Sequence, residues 1–327
     1  MSTDLGPMII DIDGTDLSSE DREILLHPFI GGVILFSRNF KSREQLSNLT
    51  LKIKKINRNP SLLICVDQEG GRIQRFCKGF TKLPALKEFG ELWKKPSSKE
   101  ISISLLNSFN SGRILAKELL NVGVDFSFTP VLDLDWGRSK VIGNRSASND
   151  PRVVFAVSKS LCCGLAAEGM KNCGKHFPGH GWATSDSHIS EAIDSREFCE
   201  IEEFDLLPYR LLIKAQILDS IMPAHVTFPK IDSMPAGFSK FWLKEVLRKN
   251  LEFKGLIISD DLSMNAASVY KNISDRVMMS LEAGCDATLV CNDRQSVISG
   301  LDNLPKEFIL NKKEKKYGNL KMLKPTY

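Results

Sequence analysis

Eight short apolar runs, each bounded by turn residues and each separated from the next by enough chain for a helix, constrain the fold of this sequence most. They are Met8–Ile12, Gly32–Phe36, Leu62–Val66, Val124–Phe128, Cys173–His176, Ser220–Pro223, Leu256–Ser259 and Ala287–Cys291. Most are β-branched or apolar on both faces, as parallel strands must be when a helical layer covers a barrel. In Ser42–Ile56 the residues Leu46, Leu49, Ile53 and Ile56 recur at spacings of three and four, the period of a helix with one buried face. The same rule predicts helices over Asp16–His27, Leu106–Leu120, Val153–Met170, Phe204–Ile217, Phe241–Asn250 and Ile273–Ala283. Leu17-Ser18-Ser19-Glu20-Asp21 carries a capping signature, and Ala283-Gly284 a glycine stop. Eight β-α units in one register predict an α/β fold: a single-domain (β/α)8 TIM-type barrel over residues 1–310 with a basic tail over 311–327. The long irregular stretch Phe76–Trp93 reads as a lid or an inserted subsite loop.

Composition narrows the class of protein. The net charge of +4 is small for 327 residues, and the basic residues are interspersed with acids, which argues against a nucleic-acid partner. The run Lys312-Lys313-Glu314-Lys315-Lys316 reads as a solvated terminus. No apolar segment approaches the roughly 20 residues of a membrane span, and the first residues lack the basic and apolar regions of a signal peptide. Eight cysteines occur without a C-x-x-C pair, which fits free thiols in the cytoplasm.

In a (β/α)8 barrel the chemistry lies at the C-terminal ends of the strands. Here those ends deliver Asp11 and Asp13, then Asp67-Gln68-Glu69-Gly70-Gly71-Arg72 with Arg75 close behind. Asp133 and Gly143-Asn144-Arg145-Ser146 follow, then Lys175-His176, His225, Ser259-Asp260-Asp261, and finally Asn292-Asp293. A ring of carboxylates, cations and imidazoles suits a polyhydroxylated ligand such as a sugar. Asp67 with Arg75 offers one acceptor for two hydroxyls and one multidentate donor. Lys175 suits hydrogen bonding or charge balance; a Schiff-base role is the alternative.

Three of the five histidines fall in Lys175-His176-Phe177-Pro178-Gly179-His180-Gly181 and the following Asp186-Ser187-His188. Proline and glycine there exclude a continuing helix or central strand. Asp186 and His188 are two residues apart, so an extended loop turns both to one side. A carboxylate beside an imidazole favours its protonated form, as a general acid requires; two solvated loop residues are the alternative. Asp260, aimed by the strand Leu256–Ser259, is the candidate nucleophile for a glycosyl centre. Capping of a helix near Leu262 is the other reading of Asp260-Asp261, and it fits Asp261 better. His180 is either loop structure or a supporting contact, His225 either pocket floor or a satisfied core residue, and His27 structural.

Taken together, Val66-Asp67-Gln68-Glu69-Gly70-Gly71-Arg72-Ile73-Gln74-Arg75-Phe76, the Lys175–Gly181 motif, Asp186-Ser187-His188 and Ser259-Asp260-Asp261-Leu262-Ser263-Met264 resemble glycoside hydrolase family 3. Within it they are most similar to the single-domain bacterial β-N-acetylhexosaminidases of cell-wall recycling, from about Pro7 to Asp293. The resemblance implies removal of terminal, non-reducing N-acetylglucosamine from anhydro-muropeptides in the cytoplasm, with retention of configuration. It implies Asp260 as nucleophile, His188 as acid/base with Asp186 as its partner, and Asp67, Arg75, Arg145, Lys175 and His176 as sugar-binding residues. It also implies a monomer acting on a small-molecule substrate, with no cofactor, metal, nucleic-acid or membrane requirement. Ala147 stands where an aromatic residue is expected and Ala266 where the family often has glycine; neither removes a group from this chemistry. Two other readings remain open on the residues: a metal-dependent barrel hydrolase using His176, His180, His188 and Asp186, and a sugar-binding barrel without turnover.

Overall fold

The computed structural model describes residues 5–56, 59–94, 97–184, 192–304 and 319–326. Its frame is an eight-stranded parallel sheet: β1 Met8–Asp11, β2 Ile30–Leu35, β3 Leu63–Val66, β4 Phe126–Ser127, β5 Cys173–Phe177, β6 Ser220–Pro223, β7 Leu256–Asp261 and β8 Ala287–Val290. Each strand pairs with its sequence neighbour, and β8 pairs with β1 through Met8↔Thr288 and Ile10↔Val290. The remaining gap, between β4 and β5, is bridged by the chain just beyond β4. There Cys173 N donates to Thr129 O at 2.8 Å and Lys175 N to Pro130 O at 3.1 Å, so the sheet is nearly a closed barrel. All eight anticipated strands are present. Nearly every strand residue is buried, which is why the runs are apolar on both faces.

The helices form the outer layer. Ser19–Leu25 opens with the capping box read from the sequence: Asp21 N donates to Ser18 Oγ at 3.0 Å and Ser18 N to Asp21 Oδ2 at 2.9 Å. It begins at Ser19 rather than Asp16 because Ser18 is the cap. Arg43–Lys54 and Ile273–Ala283 lie where periodicity placed them. Ser98–Asn121 starts eight residues before the predicted Leu106. Its inward positions include Ser104, Ser108 and Ser111, so no apolar stripe announces the early turns. Ser104 and Ser108 instead donate to Phe89 O and Val157 O, each at 2.8 Å. Arg294–Asn303 was not anticipated; Gly300 sits on its buried side, and only Val297 and Leu301 mark the period.

Phe76–Trp93 is packed against the barrel, which does not suit a lid. Phe76, Phe80, Leu83, Leu86 and Phe89 are buried, and Phe76 packs on Phe40 with ring centroids 5.2 Å apart. A hairpin of Gln68–Gly70 with Ile73–Gln74 precedes it, and a short helix Leu86–Glu91 lies within it. The Lys312–Lys316 run lies outside the described residues. Beyond it, Leu320 and Leu323 return to the core, and Lys324 reaches Ser61 Oγ at 2.8 Å at the N-terminal end of the barrel.

The helices Ser98–Asn121 and Pro151–Ala167 touch backbone to backbone. A Cβ on Gly164 would lie 2.0 Å from Phe109 O, and one on Gly112 would lie 2.2 Å from Leu161 O. Gly164→Ala should therefore force the pair apart and destabilise the protein by about 2 kcal/mol, the usual size of an overpacking penalty. Urea denaturation checks this; an unchanged midpoint would mean that the pair yields without loss.

Candidate active site

The mouth of the barrel holds a cavity of about 150 Å3. Asp67, Arg75, Arg145, Lys175, His176 and Asp260 all line it, with Phe36, Glu69 and His180 among their neighbours. Six of the eight residues singled out for catalysis or sugar binding therefore converge on one space. The other two, Asp186 and His188, lie outside the described residues.

Lys175 is held at the end of β5 by two carboxylates. Its Nζ lies 2.8 Å from Asp67 Oδ1 and 2.7 Å from Glu69 Oε1, and its side chain is 3% exposed. Burial alone would lower the lysine pKa, but Asp67 and Glu69 outweigh that and raise it. The two carboxylates favour the ammonium form, which suits the hydrogen-bonding or charge-balancing role of Lys175. Glu69 also grips Arg145 through two bonds, Nε to Oε2 at 2.9 Å and Nη2 to Oε1 at 2.7 Å. Burial would raise the Glu69 pKa, yet Arg145 and Lys175 together hold the carboxyl well below its usual range.

Lys175 and His176 are consecutive yet both line the cavity, and the register of β5 on β6 shifts between Lys175 and Phe177. Asp133 fixes the imidazole, with its Oδ2 2.8 Å from His176 Nδ1, and also accepts His180 N at 2.7 Å. Burial pushes the Asp133 pKa up, but His176 and His180 more than offset this and lower it. Arg75 sits beside Asp67 at 3.8 Å, over the Phe36 ring at 5.8 Å. Its Nε is buried without a hydrogen-bond partner among the described residues.

Asp260 and Asp261 have different settings. Asp261 Oδ1 accepts Ser263 N at 3.0 Å and Cys291 N at 3.1 Å, so this carboxylate closes the turn after β7 and ties it to β8. The helix expected near Leu262 is absent, since a turn follows β7 and the next helical residues are Asn265–Ala267, so Asp261 fastens a turn rather than capping a helix. Asp260 remains at the strand end, on the cavity wall.

A sequence profile described as the glycosyl hydrolase family 3 N terminal domain matches residues 7–316. The chain belongs to glycosyl hydrolase family 3. It is therefore a glycoside hydrolase, built as that family's barrel. It is similar to a protein named beta-hexosaminidase in Neisseria gonorrhoeae, at 49% identity over 287 residues, covering 88% of this chain and 78% of the relative. A protein of the same name in Nitrosospira multiformis is 47% identical over 292 residues, covering 89% of this chain and 82% of the relative. Among solved structures, NagZ from N. gonorrhoeae in complex with N-trifluoroacetyl-D-glucosamine superposes with a TM-score of 0.89 at 44% identity, covering 99% of this chain and 91% of that one.

Within this family 3 barrel, Glu69 and Asp133 are site-building residues that the sequence reading did not assign. Both stand at strand-end positions, which is the signal that could have found them. Several other strand-end groups serve the scaffold. Asp11 accepts Asn292 N at 2.9 Å and pairs with Arg38; Asp293 caps Arg294–Asn303 by accepting Ser296 N at 3.0 Å. His225 is a core residue: its Nε2 meets Asp261 O at 3.1 Å, its ring stacks on Phe238, and burial lowers its pKa. His27 stays local, accepting Phe29 N. Ala147 is buried, its carbonyl pressed against Gly90; Ala266 is also buried. Among the described residues no group of three or more His, Cys, Asp or Glu is arranged to hold a metal ion, and two of the four candidate ligands lie outside them.

Glu69→Gln leaves Arg145 and Lys175 short of a buried anion and should cost about 3 kcal/mol near neutral pH. Because its folded pKa lies well below the unfolded value of about 4.3, the contribution of Glu69 is full above that value and is lost progressively as pH falls from there through the lower folded pKa. The stability gap between wild type and variant should therefore be constant above about pH 5 and shrink steadily as the pH is lowered below about 4. Urea denaturation at a series of pH values checks this, and a gap unchanged at low pH would contradict it.

Proposed function

We propose that this family 3 hydrolase is a retaining exo-β-N-acetylglucosaminidase that removes terminal N-acetylglucosamine from anhydro-muropeptides through a covalent glycosyl-Asp260 intermediate. The observation that carries the reading is the convergence of Asp260 with Asp67, Arg75, Arg145, Lys175 and His176 on one cavity. The names of the relatives, beta-hexosaminidase, and the N-acylated glucosamine in the NagZ complex support the sugar assignment.

A glycosidase must stabilise positive charge at the anomeric carbon while an oxygen leaves. Asp260 supplies the carboxylate. In the first step a bond forms between its oxygen and the anomeric carbon, the glycosidic bond breaks, and His188 gives its proton to the departing oxygen. In the second, water attacks the same carbon, His188 takes the water's proton, and the bond to Asp260 breaks. Asp186 keeps His188 protonated and oriented for the first step. The fixed cations Lys175 and Arg145, with Arg75, donate to sugar hydroxyls, and Asp67 accepts from them. Their mutual ion pairs hold these groups in place before the substrate arrives, so little is spent on ordering them. In this reading the protein acts as a monomer in the cytoplasm.

Asp260→Ala should lower kcat/KM on an aryl N-acetylglucosaminide at least about a thousandfold with an unchanged melting curve. A fluorinated slow-turnover glycoside should label Asp260, and mass spectrometry of peptides reads this directly; a label on any other side chain rejects the nucleophile. His188→Ala should lose about a hundredfold or more on a phenyl glycoside and little on a dinitrophenyl glycoside, whose leaving group needs no proton. Mass spectrometry of products from defined anhydro-muropeptides tests the substrate, and release of N-acetylglucosamine that persists in chelator excludes a metal-dependent hydrolysis.

A further inference from the structure

A buried ion cluster stands apart from both the barrel core and the cavity. Arg196 is 5% exposed. Its Nε donates to Asp194 Oδ1 at 3.0 Å, its Nη2 to Asp194 Oδ2 at 2.6 Å and its Nη1 to Asp205 Oδ2 at 2.7 Å. The other oxygen of Asp205 accepts Trp136 Nε1 at 3.1 Å. The guanidinium lies 5.0 Å from the Trp136 ring centre and 4.6 Å from that of Trp182, while Arg138 stands 4.3 Å from Trp182. Desolvating one guanidinium and two carboxylates is unfavourable, and such groups are weak evidence of added stability. Their place in the chain gives them another use.

Trp182 comes shortly before, and Asp194 and Arg196 shortly after, the stretch that contains Asp186 and His188. The leading end is packed tightly: a Cβ on Gly181 would fall 1.9 Å from Leu134 O, and one on Gly179 would fall 2.8 Å from Asp205 Oδ1. The trailing end is held as a strand, with Ala192 opposite Val226, Ile193 opposite Thr227, and Asp194 N donating to Thr227 O at 2.9 Å. Arg196 joins the two ends. It binds Asp194 and Asp205, both on the trailing side, and stacks on the indole of Trp182 on the leading side, where Asp205 also packs against Gly179.

We propose that Arg196 is a positioning residue for proton transfer: by binding Asp194 and Asp205 and stacking on Trp182, it fixes both ends of the segment that carries His188. The inference rests on the reading of His188 as acid/base. Arginine suits the task where lysine would not, because its planar fork satisfies two carboxylates while its face stays on the aromatic ring. Fixing both ends restricts the positions open to the intervening imidazole, and proton transfer demands hydrogen-bond distance to the leaving oxygen.

The experiment compares Arg196→Met and Arg196→Lys with wild type on phenyl and dinitrophenyl N-acetylglucosaminides, alone and in a His188→Ala background. Arg196→Met should lower kcat/KM on the phenyl glycoside by about tenfold to a hundredfold and leave the dinitrophenyl glycoside within about twofold. Arg196→Lys should show the same pattern with a smaller loss. In the His188→Ala background the Arg196→Met loss should vanish. Equal loss on both glycosides, or losses that simply multiply in the double variant, would overturn the proposal. Should Arg196→Met fail to fold, Trp182→Leu removes the stacking partner and leaves the ion cluster, and the same leaving-group selectivity is expected; its absence counts against the proposal. If His188→Ala itself lacks that selectivity, the acid/base reading fails; if only the Arg196 variants lack it, the positioning role alone fails.

Discussion

The pairing of Glu69 with both Arg145 and Lys175 is the interaction on which the mouth of this barrel depends. Three elements meet there: the hairpin after β3, the segment after β4 and the end of β5. A buried cation without an anion would expel itself or lose its proton, and either change would open the wall of the cavity. One carboxylate within 2.7 Å of both cations prevents this, and Asp67 shares the second side of Lys175. The hydrogen-bonding wall is therefore a single electrostatic unit, and its members cannot be replaced independently.

The acidic residues at the strand ends perform two tasks. Asp11, Asp133 and Asp261 accept backbone N–H groups of other segments, at Asn292, His180 and Cys291, and so stitch the strand ends together. Asp67 and Asp260 stand on the cavity wall, and Asp261 does both, lining the cavity while it fastens the turn. The fastening carboxylates give the lining ones a rigid base, which matters where an attacking atom must meet its target within a narrow distance. In the proposed mechanism, Asp261 holds the turn beside the nucleophile for this reason.

The strands were legible in the sequence because a barrel strand is buried on both faces and writes its position as an unbroken apolar run. Ser98–Asn121 was legible only from the middle, because Ser104 and Ser108 bury hydroxyls that satisfy neighbouring carbonyls and carry no hydrophobic signal. Strand-end position alone located Asp67, Lys175, His176 and Asp260. It did not separate lining from fastening residues: Glu69 finds Arg145 across 76 positions and Asp133 finds His176 across 43. Such partners are set by the closure of the barrel, and no local pattern encodes them.

The return of the chain at Leu320–Leu323 has a consequence for the opposite pole. Lys324 donates to Leu62 O and Ser61 Oγ just before β3, and Thr326 N donates to Gly169 O ahead of β5. These anchor points lie at the pole remote from the substrate opening. A surface tether or a fused protein attached after Thr326 would thus hang below the cylinder and leave its upper aperture facing solvent.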